Sequence, residues 1–314
     1  MPVKIVTDST SDLSPELAKE FNVGIVPVYV RFGEQSYRDG IDITMDEFYR
    51  RLVDATEHPT TSQPSPADFA QVYTNLAKDG DPVVSIHVSA KLSGTCNSAV
   101  QGKEIAGQKC DVTVIDSESV SMGLGMTALM AARMAKAGGS LQQITSAVKQ
   151  AIDNTHLMGT FDTLKYLIMG GRIGKAKALV GSVLNVKPVL VMREGELHPS
   201  SNVRTHTKGV EKLVEFVTGK QRIEELTVIH TTTPDEAVGL RARLSSLVES
   251  SRLHIARLGP ALGTYGGPGM LGVAIRNSPN GLETEPKNDN SLIDRLSKIH
   301  RPEIHLPKMH LPHR

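Results

Sequence analysis

Two clusters of short hydroxyl side chains, Thr60-Thr61-Ser62-Gln63-Pro64-Ser65-Pro66 and Lys91-Leu92-Ser93-Gly94-Thr95, are the residues of this chain best suited to holding an anion. Each is expected to precede a helix, whose first backbone N–H groups are unpaired and carry partial positive charge. Hydroxyls beside such groups form a cradle for a small anionic group. Ser65 alone can cap the helix opened by Pro66, which leaves Thr61, Ser62 and Gln63 without an obvious structural task. Gly94 lets a ligand approach the backbone closely. Asp8-Ser9-Thr10 is expected at the carboxyl end of the first strand, where open parallel sheets place ligands. Its plainer role is a helix cap before Pro15, which Asp12 or Ser14 would serve equally well.

A hydroxyl can also be a nucleophile. Ser93 lies outside any Gly-x-Ser-x-Gly elbow. His87 falls inside the strand Val84–Val88, where a core role is the plainer reading. No Ser-His-Asp assembly and no cluster of metal ligands is evident, so no metal or other cofactor is expected. The segment Gly259–Gly269 is dense in turn formers, but it has neither the Walker spacing with its Lys nor Gly-x-Gly-x-x-Gly after a strand. Arg172, flanked by Gly170 and Gly171, and Arg204 are single cations in loop contexts. Surface salt bridging is the plain role for either, and the glycines tilt Arg172 towards function.

The elements that must position these residues read as α/β, with mostly parallel sheets covered by helices. Val3–Thr7, Val23–Val30, Val83–Val88 and Val112–Ile115 are β-branched runs, separated by helices that include Met45–Ala55, Pro66–Leu76 and Gly94–Ala106. Long helices follow over Met122–Ala137 and Leu141–Ile152. The pattern restarts after His156, with strands at Leu157–Asp162, Val186–Met192, Glu196–Pro199, Leu226–Thr231, Ile255 and Val273–Ile275. A boundary near Asn154 gives two α/β domains, 1–155 and 156–278. The remainder, 279–314, has a short helical stretch at Ser291–Ile299 and then repeats Pro and His, and is expected to be a loosely ordered tail.

Among the 314 residues, Lys and Arg number 35 against 34 Asp and Glu, for a net charge of +1, so nothing favours nucleic acid. Cys96 and Cys110 lack a CxxC spacing and read as reduced thiols. With no leader sequence and no apolar run of membrane-spanning length, a cytoplasmic protein without stable membrane insertion is expected. The helix Ser121–Met134 alternates Met with Gly and Ala. That pattern suits a packed core, or a wall accommodating an elongated apolar molecule. Combined with a polar cradle, such a wall fits a fatty acid, whose burial supplies roughly 0.8 kcal/mol per methylene.

In chain order stand Thr7-Asp8-Ser9-Thr10-Ser11-Asp12-Leu13, Thr61-Ser62-Gln63-Pro64-Ser65, Ser93-Gly94-Thr95, Gly171-Arg172-Ile173 and Gly263-Thr264-x-x-Gly267-Pro268-Gly269. This series, from Val3 to about Arg276, resembles the DegV family of bacterial fatty-acid-binding proteins. The resemblance implies two α/β domains and a non-catalytic carrier. The ligand would be a long-chain fatty acid whose carboxylate is held by Thr61 and Ser93, in a site that includes Ser62, Gly94, Thr95 and Tyr265. It also implies, for members that serve a fatty acid kinase, presentation of the acid to a separate ATP-binding subunit, with Arg172 and Arg204 near the exposed head group. Many members carry His where this chain has Tyr265. A phenol can donate a hydrogen bond to a carboxylate but supplies no cation there. The rival reading is an enzyme of the same architecture, using Ser93 or Thr61 on an acyl ester or phosphate.

Overall fold

The structure is a computed structural model and describes residues 2–77, 80–108, 110–179 and 186–278. The chain starts with β1 (Lys4–Asp8), a 3-10 turn at Ser9–Ser11, α1 (Pro15–Glu20) and β2 (Val23–Val26). Next come β3 (Tyr29–Phe32), β4 (Gln35–Arg38), α2 (Met45–Asp54) and β5 (Thr60–Ser62). Then follow α3 (Pro66–Leu76), β6 (Val83–His87), α4 (Thr95–Ala106), β7 (Val112–Asp116), α5 (Ser121–Lys136) and α6 (Leu141–Asp153). Helix starts follow local chemistry. Pro15 and Pro66 occupy first-turn positions where no N–H is needed. The Ser65 and Ser140 hydroxyls each accept from the third helical N–H, and Asp68 and Gln143 bond back to close the capping boxes.

Beyond α6 lie β8 (Thr155–Thr160), α7 (Lys165–Met169), a 3-10 stretch at Gly174–Leu179, β9 (Lys187–Arg193) and β10 (Glu196–Val203). They are followed by α8 (His206–Thr218), β11 (Ile223–His230), α9 (Pro234–Leu244), β12 (Leu253–Arg257), α10 (Pro260–Gly266) and β13 (Leu271–Asn277). Among the described residues the strands form three sheets. One has order β2-β1-β6-β7 and is wholly parallel. A small antiparallel sheet has order β4-β3-β5, and the largest has order β10-β9-β8-β13-β11-β12.

The α/β class stands, but the expected parallel pairing fails in the largest sheet. There only β11 and β12 run parallel, and the other four pairings are antiparallel. A helix sets strands parallel only when it carries the chain back along the sheet. α7 and α10, of five and seven residues, reach roughly 7–11 Å at 1.5 Å per residue, against roughly 20 Å for a six-residue strand. β9 and β10 join through Glu194-Gly195, with φ of 49° and 76°, the two-residue turn that suits a hairpin.

Three other expectations change. The run Val23–Val30 divides at Pro27 into β2 and β3, which belong to different sheets. Thr60–Ser62 is a strand, not a helix entrance, because Gln63-Pro64-Ser65 separates it from α3. The turn-rich segment after Gly259 contains α10, entered through Pro260. The sequence-defined stretch at Ser291–Ile299 and the His/Pro-containing tail lie outside the described residues.

α5 is central to the packing. Met122, Leu124, Met126 and Leu129 are buried with Ile5, Val84 and Ile86 of the parallel sheet and with Ile229 and Ala274 of the largest one. The methionine helix is therefore mainly core. Only Ser121 at its start lines the cavity described next. Cys96 and Cys110 are buried and free.

Candidate functional site

A cavity with about 920 Å³ of atom-free space, counting its open mouth, is lined by strands of the largest sheet, by β5 of the small one and by residues just past β1, β6 and β7 of the parallel sheet. Its wall is mostly apolar, with Leu92, Leu157, Phe161, Leu190, Met192, Leu197, Ile229 and Met270 among its residues. Four sequence-predicted residues meet on it: Thr61, Ser93, Arg172 and Tyr265. Each arrives by a different route. β5 pairs Thr61 with Val30 of β3. Ser93 sits in the turn between β6 and α4, where its hydroxyl receives the Thr95 N–H at 3.3 Å and shares a 2.8 Å hydrogen bond with the Thr95 hydroxyl. Arg172 follows the Gly170-Gly171 pair, where Gly171 has a φ of 70° that disfavours side chains. Tyr265 lies on α10.

These side chains hold one another. The Tyr265 hydroxyl is hydrogen-bonded to the Thr61 hydroxyl. The Arg172 guanidinium lies 5.3 Å from the Tyr265 ring centroid, within cation–π range. Arg172 also donates through Nε to the Leu92 carbonyl at 3.3 Å and through Nη1 to the Gly170 carbonyl at 2.9 Å. Gly170 is required here, since a Cβ would fall 2.4 Å from the Tyr265 ring. An apolar cavity therefore carries hydroxyls and one guanidinium on a shared part of its wall. That set can hydrogen-bond and neutralise a carboxylate.

Other predicted residues stand apart. Ser62 is exposed on β5, Thr95 is buried under Ser93, and Gly94 packs against Gln63, whose amide reaches Ser98 at 2.7 Å. Arg204 is exposed between β10 and α8 and is not part of the cavity wall. The expected pair of helix-start cradles reduces to one, because Thr61 presents its hydroxyl from a strand.

The structure does assemble a Ser, a His and an Asp, contrary to expectation. Asp8 Oδ2 lies 3.0 Å from His87 Nδ1, and His87 Nε2 lies 2.6 Å from the Ser85 hydroxyl. All three are fully buried, and Ser85 also bonds the Tyr73 hydroxyl at 2.8 Å, so no nucleophile faces the cavity from this chain of bonds. Asp8 further accepts the N–H groups of Val88 and Thr10, and the Thr10 hydroxyl. Proximity of β1 to β6 creates this network, and sequence spacing gives no hint of it. Neither Ser93 nor Thr61 has an imidazole or carboxylate partner among the described residues.

Behind the site, two carboxylates grip the start of α10. Asp12 accepts the Gly259 N–H at 2.8 Å and the Ser121 hydroxyl. Asp39 is bonded by Ser9 and by the Ala261 backbone. Desolvation raises Asp12 to about 8 and Asp39 to about 7. No group of three or more residues suited to a metal occurs among the described residues, and no described helix is long and apolar enough to cross a membrane.

Comparison with known proteins agrees with this architecture. Residues 2–278 match the family described as "Uncharacterised protein, DegV family". A DegV domain-containing protein of Caldanaerobacter subterraneus is 37% identical over 274 residues, covering 86% of this chain and 97% of its own. A fatty-acid-binding DegV family protein from Thermus thermophilus superposes with a TM-score of 0.82 at 34% identity, covering 88% of this chain and all of its own. A stearic-acid-binding protein from Eubacterium ventriosum gives 0.81 at 30% identity, with 87% and 98% covered. With every described residue inside the match, this chain belongs to the DegV family.

Proposed function

We propose that this protein binds a long-chain fatty acid, with the acyl chain in the apolar cavity and the carboxylate at Thr61, Ser93 and Tyr265. The carrying observation is that the Thr61–Tyr265 hydrogen bond, Ser93 and Arg172 share one part of a mostly apolar wall. Burial of methylenes supplies most of the affinity and the polar group sets orientation. The fatty-acid-binding DegV protein of Thermus thermophilus, alike over most of both chains, supports the same reading.

The protein acts as a carrier without a cofactor and without turnover of its own. The hydroxyls of Ser93 and Thr61 bond to other hydroxyls rather than to a base, which supports binding over hydrolysis. It works in the cytoplasm, through a two-part division at about residue 155, and presents the acid to the ATP-binding subunit of a fatty acid kinase. In that role Arg172 and Arg204 stand on the partner side. The test is native mass spectrometry of the protein purified from its host. Retained long-chain fatty acid, removed by delipidation and restored by added acid, is expected. A protein that neither retains nor rebinds any acid would refute the proposal.

A further inference from the structure

The largest sheet has a bare patch where it meets the cavity. On β8 and the residue after it, Leu157, Gly159 and Phe161 alternate onto the cavity side, while Met158 belongs to the core on the opposite face. Gly159 pairs with Leu190 of β9 on one side and with Gly272 of β13 on the other. Gly272 pairs in turn with Ile229 of β11. Directly paired residues share a face, so one row across four strands reads Leu190, Gly159, Gly272, Ile229. Its two middle positions have no side chain. Leu190 and Ile229 both line the cavity and stand three strand spacings apart, about 14 Å.

One side chain fills the gap. A Cβ added to Gly159, or one added to Gly272, would fall 2.9 Å from the Met270 Cε. Met270 is buried and lines the cavity. Its backbone is fixed, the N–H donating to the Thr231 hydroxyl at 3.0 Å and the carbonyl accepting the Thr231 N–H at 3.1 Å. The side chain is unbranched and turns about three bonds, so it can swing off the glycines without moving the main chain. The space it covers is therefore one that can open. Leu157 and Phe161 line the cavity on either side of Gly159, so the wall continues past the gap in both directions. What enters the gap is the middle of a chain, not its end.

We propose that Met270 is a movable plug over Gly159 and Gly272, and that displacing it lets the cavity take an acyl chain bent at mid-length by a cis double bond. The proposal rests on the fatty-acid reading above and names a specificity-determining residue and a substrate class within it. A saturated or trans chain is straight and passes over the plug in place. A cis chain departs from that line and uses the space beneath.

The experiment is calorimetric titration of the delipidated protein with a positional series of octadecenoic acids, each as its cis and its trans isomer. The two members of a pair differ in shape alone, so their affinity ratio isolates the bend. Gly159→Ala puts a methyl group into the gap, and the ratio of cis to trans affinity should fall about fourfold for at least one position of the double bond, as burial of roughly one methylene allows. Met270→Ala empties the gap and should raise the same ratio. Met270→Ile keeps the bulk on a stiff, β-branched side chain and should lower it. It serves in place of Gly159→Ala if that variant does not fold, as judged by its melting curve. A plainly structural methionine would change stability and leave the ratio alone. If the ratio is unmoved in every folded variant, or if filling and emptying the gap move it the same way, the proposal is overturned. If neither isomer of any pair binds the native protein, the fatty-acid reading itself fails and takes this one with it.

Discussion

At the scale of single residues, the proposed head-group set is a contact between distant parts of the chain. Thr61 and Tyr265 stand 204 positions apart and meet through their hydroxyls. Replacing Thr61 by Val together with Ser93 by Ala should weaken fatty acid binding while the fold persists. Each hydrogen bond to the charged group is worth about 1.5–3 kcal/mol. Titration calorimetry on the double variant, with circular dichroism for folding, measures this directly, and undiminished affinity would remove both residues from the site. Tyr265 bears on presentation. A kinase partner needs the negative charge of the transferring phosphoryl group stabilised, and a neutral phenol does this less well than an imidazolium. Acyl phosphate formation with a cognate kinase should therefore be faster in Tyr265→His than in the native protein at saturating carrier. Equal rates would show that Arg172, already stacked on the ring, suffices. Thr61, Ser93, Arg172 and Tyr265 were legible because they fall in short motifs. The Asp8–His87–Ser85 chain was not, because a hydrogen bond across β1 and β6 depends on strand register, which residue types alone do not reveal.

At the scale of elements, capping chemistry and β-branched runs made most helices and strands readable, and the errors have physical causes. Pro27 breaks a run that composition alone joins, and two short helices permit antiparallel returns where alternation suggested parallel ones. Met122 and Met126 show the limit of composition, since adaptable thioethers fill a core as readily as they line a cavity. One joint between elements is tight enough to test. Helix α4 crosses α3 at Gly102, where a Cβ would lie 2.4 Å from the Phe69 Cβ and 2.8 Å from the Pro66 carbonyl. Backbone cannot yield as a side-chain tip can, so Gly102→Ala should destabilise the protein by about 1–3 kcal/mol. Chemical denaturation would reveal the shift, and an unchanged midpoint would mean that the two helices separate at little expense.

At the scale of the whole molecule, buried charge governs the response to pH. Asp12 and Asp39 rise from 3.8 to about 8 and about 7 on burial. The folded state thus holds these protons more firmly than the unfolded chain does. Their contribution to stability is complete below about pH 4 and is lost as pH climbs through about 7 to 8. Glu225 behaves oppositely. Desolvation alone would raise it, but His254, Arg133 and Arg276 together bring it down to about 2. Its contribution is present above about pH 4.5 and disappears as pH falls towards 2. Denaturation midpoints should decline from about pH 5 to pH 9, and Asp39→Asn should flatten that decline. A slope identical in the variant would remove Asp39 as its source.

The cavity has a mechanical consequence as well. Unfolding eliminates internal space, so it proceeds with a decrease in volume and is promoted by compression. The apolar cavity should make the delipidated protein the more compressible form. An acyl chain that fills it replaces that space with close-packed methylenes. The slope of the unfolding free energy against hydrostatic pressure should therefore be shallower for the loaded protein than for the stripped one. That difference is separate from the stabilisation any ligand gives by mass action, and high-pressure fluorescence or NMR can read it.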